Sequence, residues 1–360
     1  MMTFFKYLLV FCSVLFIQSC STKEKTDLLT IPVDVDRDTP LTLSDISEKV
    51  EAIELEVTDE SLIQKPNRIL YSSDFIIVQE AKSIMLFDNS GKFIRRIGSV
   101  GQGPAEFTSI ADIAADFDSK RIYIFSGGVK LTCYDFEGNL IKVSPLGYYV
   151  RLYNVYLNYI DNKLLLLSES MITEGNRKTQ CRLYGVDDNL LKSDSILVKS
   201  FDSNEIVYIS NYQDYITKEG DNVYLYYFML VPNNMVSDTL YLLNKNQLSP
   251  YLNIKFKNRG LSEGKKIIII RNMFRSSRYV FAYYNHIPRQ QFYFFCHDLK
   301  SGESFNMKDG LTDDIHTGKK VIFRPVDADA NKFYYLHTNM KEDDLEEPNP
   351  TLYIGTFKSK

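Results

Sequence analysis

Six times along the chain, a short polar turn launches a nearly unbroken apolar run. The runs are "SSDFIIVQE" from Ser72, "DSKRIYIF" from Asp118, "IDNKLLLLS" from Ile160, "GDNVYLYYF" from Gly220, "SSRYVFAYY" from Ser276 and "DANKFYYLH" from Asp329. Successive launches lie about 40 to 60 residues apart, the length of one four-stranded sheet in a toroidal β-protein. A strand covered on both sides by neighbouring sheets has no polar face to show, so it reads as continuously apolar rather than alternating. That places each run on the innermost strand of its module. Asp, Asn and Ser ahead of a run close the turn with their own side chains.

A second signal follows each of the first five launches. "IMLFDNSGKFI", "LTCYDFEGNLI", "RLYGVDDNLL", "LYLLNKNQL" and "FYFFCHDLKSGES" each set a strand before an Asp or Asn turn, with another strand after it. These are hairpins between the outer strands of a module. Cys133 and Cys296 both stand two residues before the turn Asp, in different modules. Equivalent sites in separate modules lie beyond the roughly 7 Å Cα separation that a disulfide tolerates. These two and Cys181 therefore read as free, buried, weakly polar side chains.

The sixth module is short of strands. Only "KFYYLHT" and "TLYIGTF" follow its launch, separated by the acidic "KEDDLEEPNP". The cleanly alternating "VEAIELEV", residues 50–57, is the natural donor of the missing strand. Borrowing it removes an exposed sheet edge that would otherwise template aggregation. The expected fold is therefore all-β: a six-bladed β-propeller of four-stranded antiparallel blades, its ring closed by strands from both termini. It forms one domain over residues 41–360. Long amphipathic helical patterns are missing, and the chain has 25 Tyr, 23 Phe and no Trp.

The first residues have a different character. Lys6 precedes an apolar run from Tyr7 to Ile17, about ten residues, against the roughly 18 that a spanning helix needs. It ends in "FIQSC", where the small Ser19 directly precedes Cys20. This resembles the lipobox of bacterial lipoproteins, which implies a signal peptide over 1–19, acylation of Cys20 and a tether over 20–40. Ser21 after the cysteine points to the outer membrane by analogy with sorting preferences. Several acyl chains hold a protein on a bilayer durably. The formal charge of −4 becomes −5 once Lys6 leaves with the signal. Without a basic block, that mild acidity argues against nucleic acid as a partner.

"RRIGSVGQGPAEF", residues 95–107, invites a phosphate-cradle reading, but it lacks the Lys-Ser/Thr and following helix of a P-loop. It equally lacks the βαβ setting of a dinucleotide fingerprint. It reads instead as a blade-to-blade connection. Its glycines permit positive φ, Pro104 fixes the chain direction, and Phe107 plugs between blades. The stretch is similar to the Gly-x-Gly-Pro-Gly-Glu-Phe connection of bacterial six-bladed β-propeller lipoproteins, a family related to NHL-repeat propellers. Gly101, Gly103, Pro104, Glu106 and Phe107 carry the likeness, with Ala105 in place of a glycine. "IPVDVDRDTPLTLSDISEKVEAIELEVTDESLI", "NMFRSSRYVFAYY" and "DGLTDDIHTGKKVIFRP" resemble further family stretches, so the likeness spans essentially the whole mature chain. In the last stretch Thr317 replaces a glycine. The resemblance implies a scaffold and a cell-envelope location; no shared enzymatic activity follows from it.

If the launch turns open on one face, Asp74, Asp118, Asp161, Asn162, Asp221, Asn222, Asp329 and Asn331 circle the channel mouth. Oxygen ligands in a ring suit Ca²⁺ or another divalent cation. Of these, Asp74, Asp118, Asp161, Asp221 and Asn331 are the candidate metal ligands. The competing account is that each side chain caps its own turn and recurs because the blade recurs. Arg275, Arg278, Asp313, Asp314, His316 and Arg324 form a candidate loop-face binding set, against which stands an ordinary charged connection. The histidines show no paired metal spacing and no G-x-S-x-G elbow occurs, so no catalytic residue is assigned. Tyr148, Tyr149, Tyr153, Tyr156 and Tyr159 are candidates for an exposed, sugar-stacking cluster. The leading expectation is a non-enzymatic, lipid-anchored envelope propeller without a cofactor. It binds an unidentified protein or small ligand on long connections in blades three to five. The alternative is a metal-dependent hydrolase, lactonase- or esterase-like, at the channel mouth.

Overall fold

The computed structural model describes residues 28–145, 147–150, 152–172, 178–201, 215–228, 236–338 and 348–359. The expected signal peptide, Cys20 and the start of the expected tether lie outside them. Six four-stranded antiparallel units close into a six-bladed β-propeller. Blade 1 comprises Arg68–Tyr71, Phe75–Gln79, Ile84–Asp88 and Phe93–Arg96, and blades 2 to 5 repeat that meander. Blade 6 takes three strands from the C-terminal part, Arg324–Val326, Asp329–His337 and Thr351–Phe357, and its outermost strand, Ser47–Glu54, from the other end. Val50 lies opposite Gly355 and Ile53 opposite Leu352 in that antiparallel pair, so the expected closure is present.

The closure is reinforced from the blade 5–6 connection. His316 Nε2 lies 3.1 Å from the Val50 carbonyl, and the Ser44 amide donates to Asp314 at 3.0 Å. A single helical turn, Leu43–Ile46, leads into the closing strand and buries Leu43 and Ile46. Gly355 has no room for a side chain, because a Cβ there would sit 2.0 Å from the Phe333 ring.

The launch runs occupy the second strand of each blade, not the innermost as their apolar continuity suggested. Both faces of a second strand are also covered by neighbouring blades, so continuity does not separate the two positions. Innermost strands carry polar side chains for the axis and therefore read as weaker patterns. The outer hairpins match expectation. In blades 1, 2, 3 and 5 the turn aspartates Asp88, Asp135, Asp187 and Asp298 each accept backbone amides of their own turn.

Part of the expected tether is structured. Leu29–Val33 adds a fifth strand to blade 4, parallel to Gln247–Phe256, and buries Ile31 and Val33. Pro32 is tolerated because this is an edge strand. The Thr39 amide then donates to the Asn306 carbonyl of blade 5 at 3.0 Å. The N-terminal segment thus runs around the outside of blades 4 and 5 before closing blade 6. Cys133, Cys181 and Cys296 are free and buried, as read from the sequence.

Candidate functional site

The innermost strands meet on a buried polar cluster at the axis. Arg68, the first residue of blade 1, is 1% exposed. Its Nη1 donates to Asp112 Oδ2 of blade 2 at 2.7 Å, to the Ile113 carbonyl at 2.9 Å and to the Leu157 carbonyl of blade 3 at 2.8 Å. Its Nη2 donates to Asp327 Oδ2 in the tight turn between the first two strands of blade 6. Asp327 Oδ2 also accepts Asn158 Nδ2 of blade 3 at 3.0 Å, and the Asp327 carbonyl accepts the Lys218 amide of blade 4 at 2.8 Å. One guanidinium thus ties blades 1, 2, 3 and 6, and Asp327 extends the tie to blade 4.

Two carboxylates share the Arg68 guanidinium, and Arg324 adds a further positive charge that acts on Asp327. Burial pushes the Asp112 carboxyl up to about 6 despite the opposing pull of Arg68. Asp327 is raised for the same reason. Asp112 Oδ1 and Asn158 Oδ1 are buried with no protein partner. The adjoining cavity, lined by Arg68, Tyr159 and Asp327 among others, measures about 40 Å³. That is room for water and well below the roughly 300 Å³ of a small-molecule pocket.

The residues expected at the channel mouth do share one face, called the lower face here, because turns between first and second strands all fall on it. They do not converge. Asp161 pairs with Lys218. Asn331 Oδ1 accepts the Ser277 amide of blade 5 at 2.7 Å. Asp74, Asp118 and Asp221 are exposed. Asp161 and Asn162 hold φ of 52° and 58°, a backbone state that Asp and Asn tolerate better than most residues. Among the described residues, no three His, Cys, Asp or Glu side chains stand together as a metal site.

The loop-face set splits between the two ends of the ring. Arg275 and Arg278 lie at the lower face. Arg275 is 5% exposed, stacks over Tyr224 and Tyr251, and lies 3.6 Å from Glu219 of blade 4. Arg278 forks onto Asp298, the closest approach being 2.7 Å. Asp313, Asp314, His316 and Arg324 lie toward the upper face. Asp313 is fully buried and accepts the His316 and Thr317 amides at 3.0 and 3.1 Å and Tyr335 Oη at 2.9 Å. Burial opposes its charge, but these donors outweigh it and hold the carboxyl below its usual range. Arg324 Nη1 donates to the Asn67 carbonyl of blade 1 at 3.1 Å. Each of the six is engaged within the fold.

The tyrosines do not form an exposed cluster. Tyr149 and Tyr156 are buried, Tyr149 Oη donates to the Leu190 carbonyl at 2.7 Å, and Tyr159 stacks on Tyr123. "GQGPAEF" is a connection between blades 1 and 2 on the upper face. Its glycines serve close approach more than positive φ: a Cβ on Gly101 would meet Glu106 Oε2 at 2.0 Å, and only the preceding Gly98 has φ of 69°. Phe107 is 2% exposed within the core shared by blades 1 and 2, as expected. Much of the connection set expected to carry ligand, 173–177, 202–214 and 229–235, lies outside the described residues.

Sequence reasoning missed Arg68, Asp112, Asn158 and Asp327. The available signal was a charge inside an otherwise apolar strand, as in "RILY" and "IADIAAD".

Fold and axis together define a closed six-bladed β-propeller whose centre is filled by its own side chains. The chain belongs to the family described as a domain of unknown function (DUF4934), whose profile matches residues 28–352. Among solved structures it is similar to a Bacteroides fragilis protein inferred to be exported, with a TM-score of 0.62 and 15% identity over 92% of this chain and 100% of that one. That likeness speaks for the fold. The Neurospora crassa Pan2 WD40 domain, at 9% identity over 81% of this chain and 75% of that one, is a remote match with a TM-score of 0.36. No curated protein matches the sequence.

Proposed function

We propose that the protein is a membrane-anchored lipoprotein of the bacterial cell envelope. Its propeller serves as a binding or scaffold module for a protein or small ligand. The observation that carries this reading is the axis. A hydrolytic propeller of the kind weighed above needs a divalent cation at the channel mouth; the positive charge found at the axis is the Arg68 guanidinium, clamped by Asp112 and Asp327. The similarity to an exported Bacteroides protein and the lipobox-like "FIQSC" support the envelope location. Among the described residues no helix is long and apolar enough to cross a membrane.

Elemental analysis of the purified protein tests the module against the hydrolase. Metal-free protein with an unchanged unfolding midpoint in chelator fits the module. Stoichiometric metal lost in the Asp161→Ala, Asp221→Ala double variant would establish the hydrolase instead. For the anchor, Cys20→Ala releases the protein from membranes or leaves an unprocessed precursor. A processed Cys20→Ala protein still bound to membranes would overturn it.

A further inference from the structure

The path of the N-terminal segment has a consequence for how an anchored propeller sits. Leu29 lies opposite Leu252, midway along Gln247–Phe256, the fourth strand of blade 4, and runs parallel to it. The chain therefore reaches blade 4 from the side of Lys245 and Asn246, which form a turn of the lower face. Leu252 stands five residues from Gln247, about 17 Å of strand. Cys20 lies eight positions before Leu28, an extended reach of at most about 28 Å. A fully extended anchor of that length passes the lower rim of blade 4 by about 11 Å at most. Reaching the upper face would require the chain to double back along the strand.

The lower rim at this point is not a uniformly polar surface. A cleft of about 320 Å³ opens between blades 3 and 4, walled by Leu165, Leu183, Ile196, Val223 and Leu243. Gly185 also lines it, and a Cβ there would meet Ser193 Oγ at 2.7 Å. Exposed Lys163 and Lys245 flank the mouth, while Asp161 is already paired with Lys218. Asp194 lies there too, so attraction to anionic headgroups is weak and apolar contact dominates. Leu28 and Leu29, on the outer edge of blade 4 above the rim, are 39% and 40% exposed. Long lysine side chains beside an apolar opening suit the headgroup level of a bilayer.

We propose that the lower rim of blades 3 and 4 rests on the bilayer that holds the anchor, with lipid hydrocarbon entering this cleft and the upper face turned away. The proposal rests on acylation at Cys20. It leaves the "GQGPAEF" connection and the blade 5–6 connection free to meet a partner.

Lipidated protein reconstituted into phosphatidylcholine vesicles containing spin-labelled phosphatidylcholine provides the test. Cys133, Cys181 and Cys296 are buried, so a fluorophore attached to Asn246→Cys at the cleft, or to Gln102→Cys on the upper face, reports one site each. The expected result is severalfold stronger quenching at position 246 than at position 102. Equal quenching, stronger quenching at 102, or none at either site in vesicle-bound protein overturns the placement while leaving the anchor intact. If the protein leaves the vesicles, and Cys20→Ala behaves identically, the anchor reading fails and the placement falls with it.

Discussion

Replacing Arg68 by Met keeps an apolar stem but removes the guanidinium that the buried Asp112 and the part-buried Asp327 share. Deleting one partner of a buried ion pair costs about 3 to 5 kcal/mol, because the remaining charge has neither water nor counterion. Here Asp112 and Asp327 are both left behind, together with the Ile113 and Leu157 carbonyls that Arg68 satisfies. The loss at pH 7.5 should therefore reach the upper part of that range. It should also depend on pH in a definite direction. Asp112 is raised from 3.8 to about 6 even with Arg68 present. A raised acid binds its proton more tightly when folded, so its contribution is fully present below its unfolded value and is lost as pH rises to about 6. For Asp112 that amounts to roughly 3 kcal/mol. Without Arg68 both carboxyls rise further, and the difference between variant and wild type should shrink as pH falls from 7.5 toward 5. Urea unfolding followed by far-ultraviolet circular dichroism measures this, since the chain has no Trp. A loss under about 1 kcal/mol at pH 7.5, or a loss independent of pH, would refute the account of the axis.

Three other outcomes follow from the packing. Gly355→Ala drives a methyl into the Phe333 ring at 2.0 Å and should cost about 1 to 3 kcal/mol in urea unfolding. Gly101→Ala should cost less, because the Glu106 carboxylate it meets is the movable end of a side chain; a loss as large as that of Gly355→Ala would contradict this. Cys133, Cys181 and Cys296 should resist a thiol reagent in native protein and react together on unfolding. Burial pushes the Cys133 thiol up to about 11 and those of Cys181 and Cys296 well above their usual range. Fast labelling of any one in native protein would count against its burial.

Blade number and ring closure were legible because both depend on repetition and alternation. The hairpin turns of Asp88, Asp135, Asp187 and Asp298 recur with the blade, and "VEAIELEV" alternates as a half-buried strand must. Strand order within the blade was not legible, since apolar continuity reports burial on two faces and not distance from the axis. The belt strand Leu29–Val33 was overlooked because "LTIPV" is short and carries a proline. The axial residues occur once each and leave no periodic trace. Arg68 and Asp112 are adjacent in space while 44 positions apart in the chain. The loop-face set shows the opposite error: charge density in "TDDIH" marked a place where Asp313 organises its own loop and His316 holds the closing strand. Dense charge near a strand end indicates an internal clasp as readily as a binding surface.

The closure itself is open to a direct covalent test. Glu54 lies opposite Thr351 at the end of the shared strand pair of blade 6. In an antiparallel pair, opposed Cα atoms are about 4.5 to 5.5 Å apart, within the range a disulfide spans. The protein carrying Glu54→Cys and Thr351→Cys should form an internal disulfide on mild oxidation, run faster on a non-reducing gel, and unfold at higher urea than its reduced form. Two reactive thiols that stay unpaired under the same oxidation would mean that the chain ends do not share a blade.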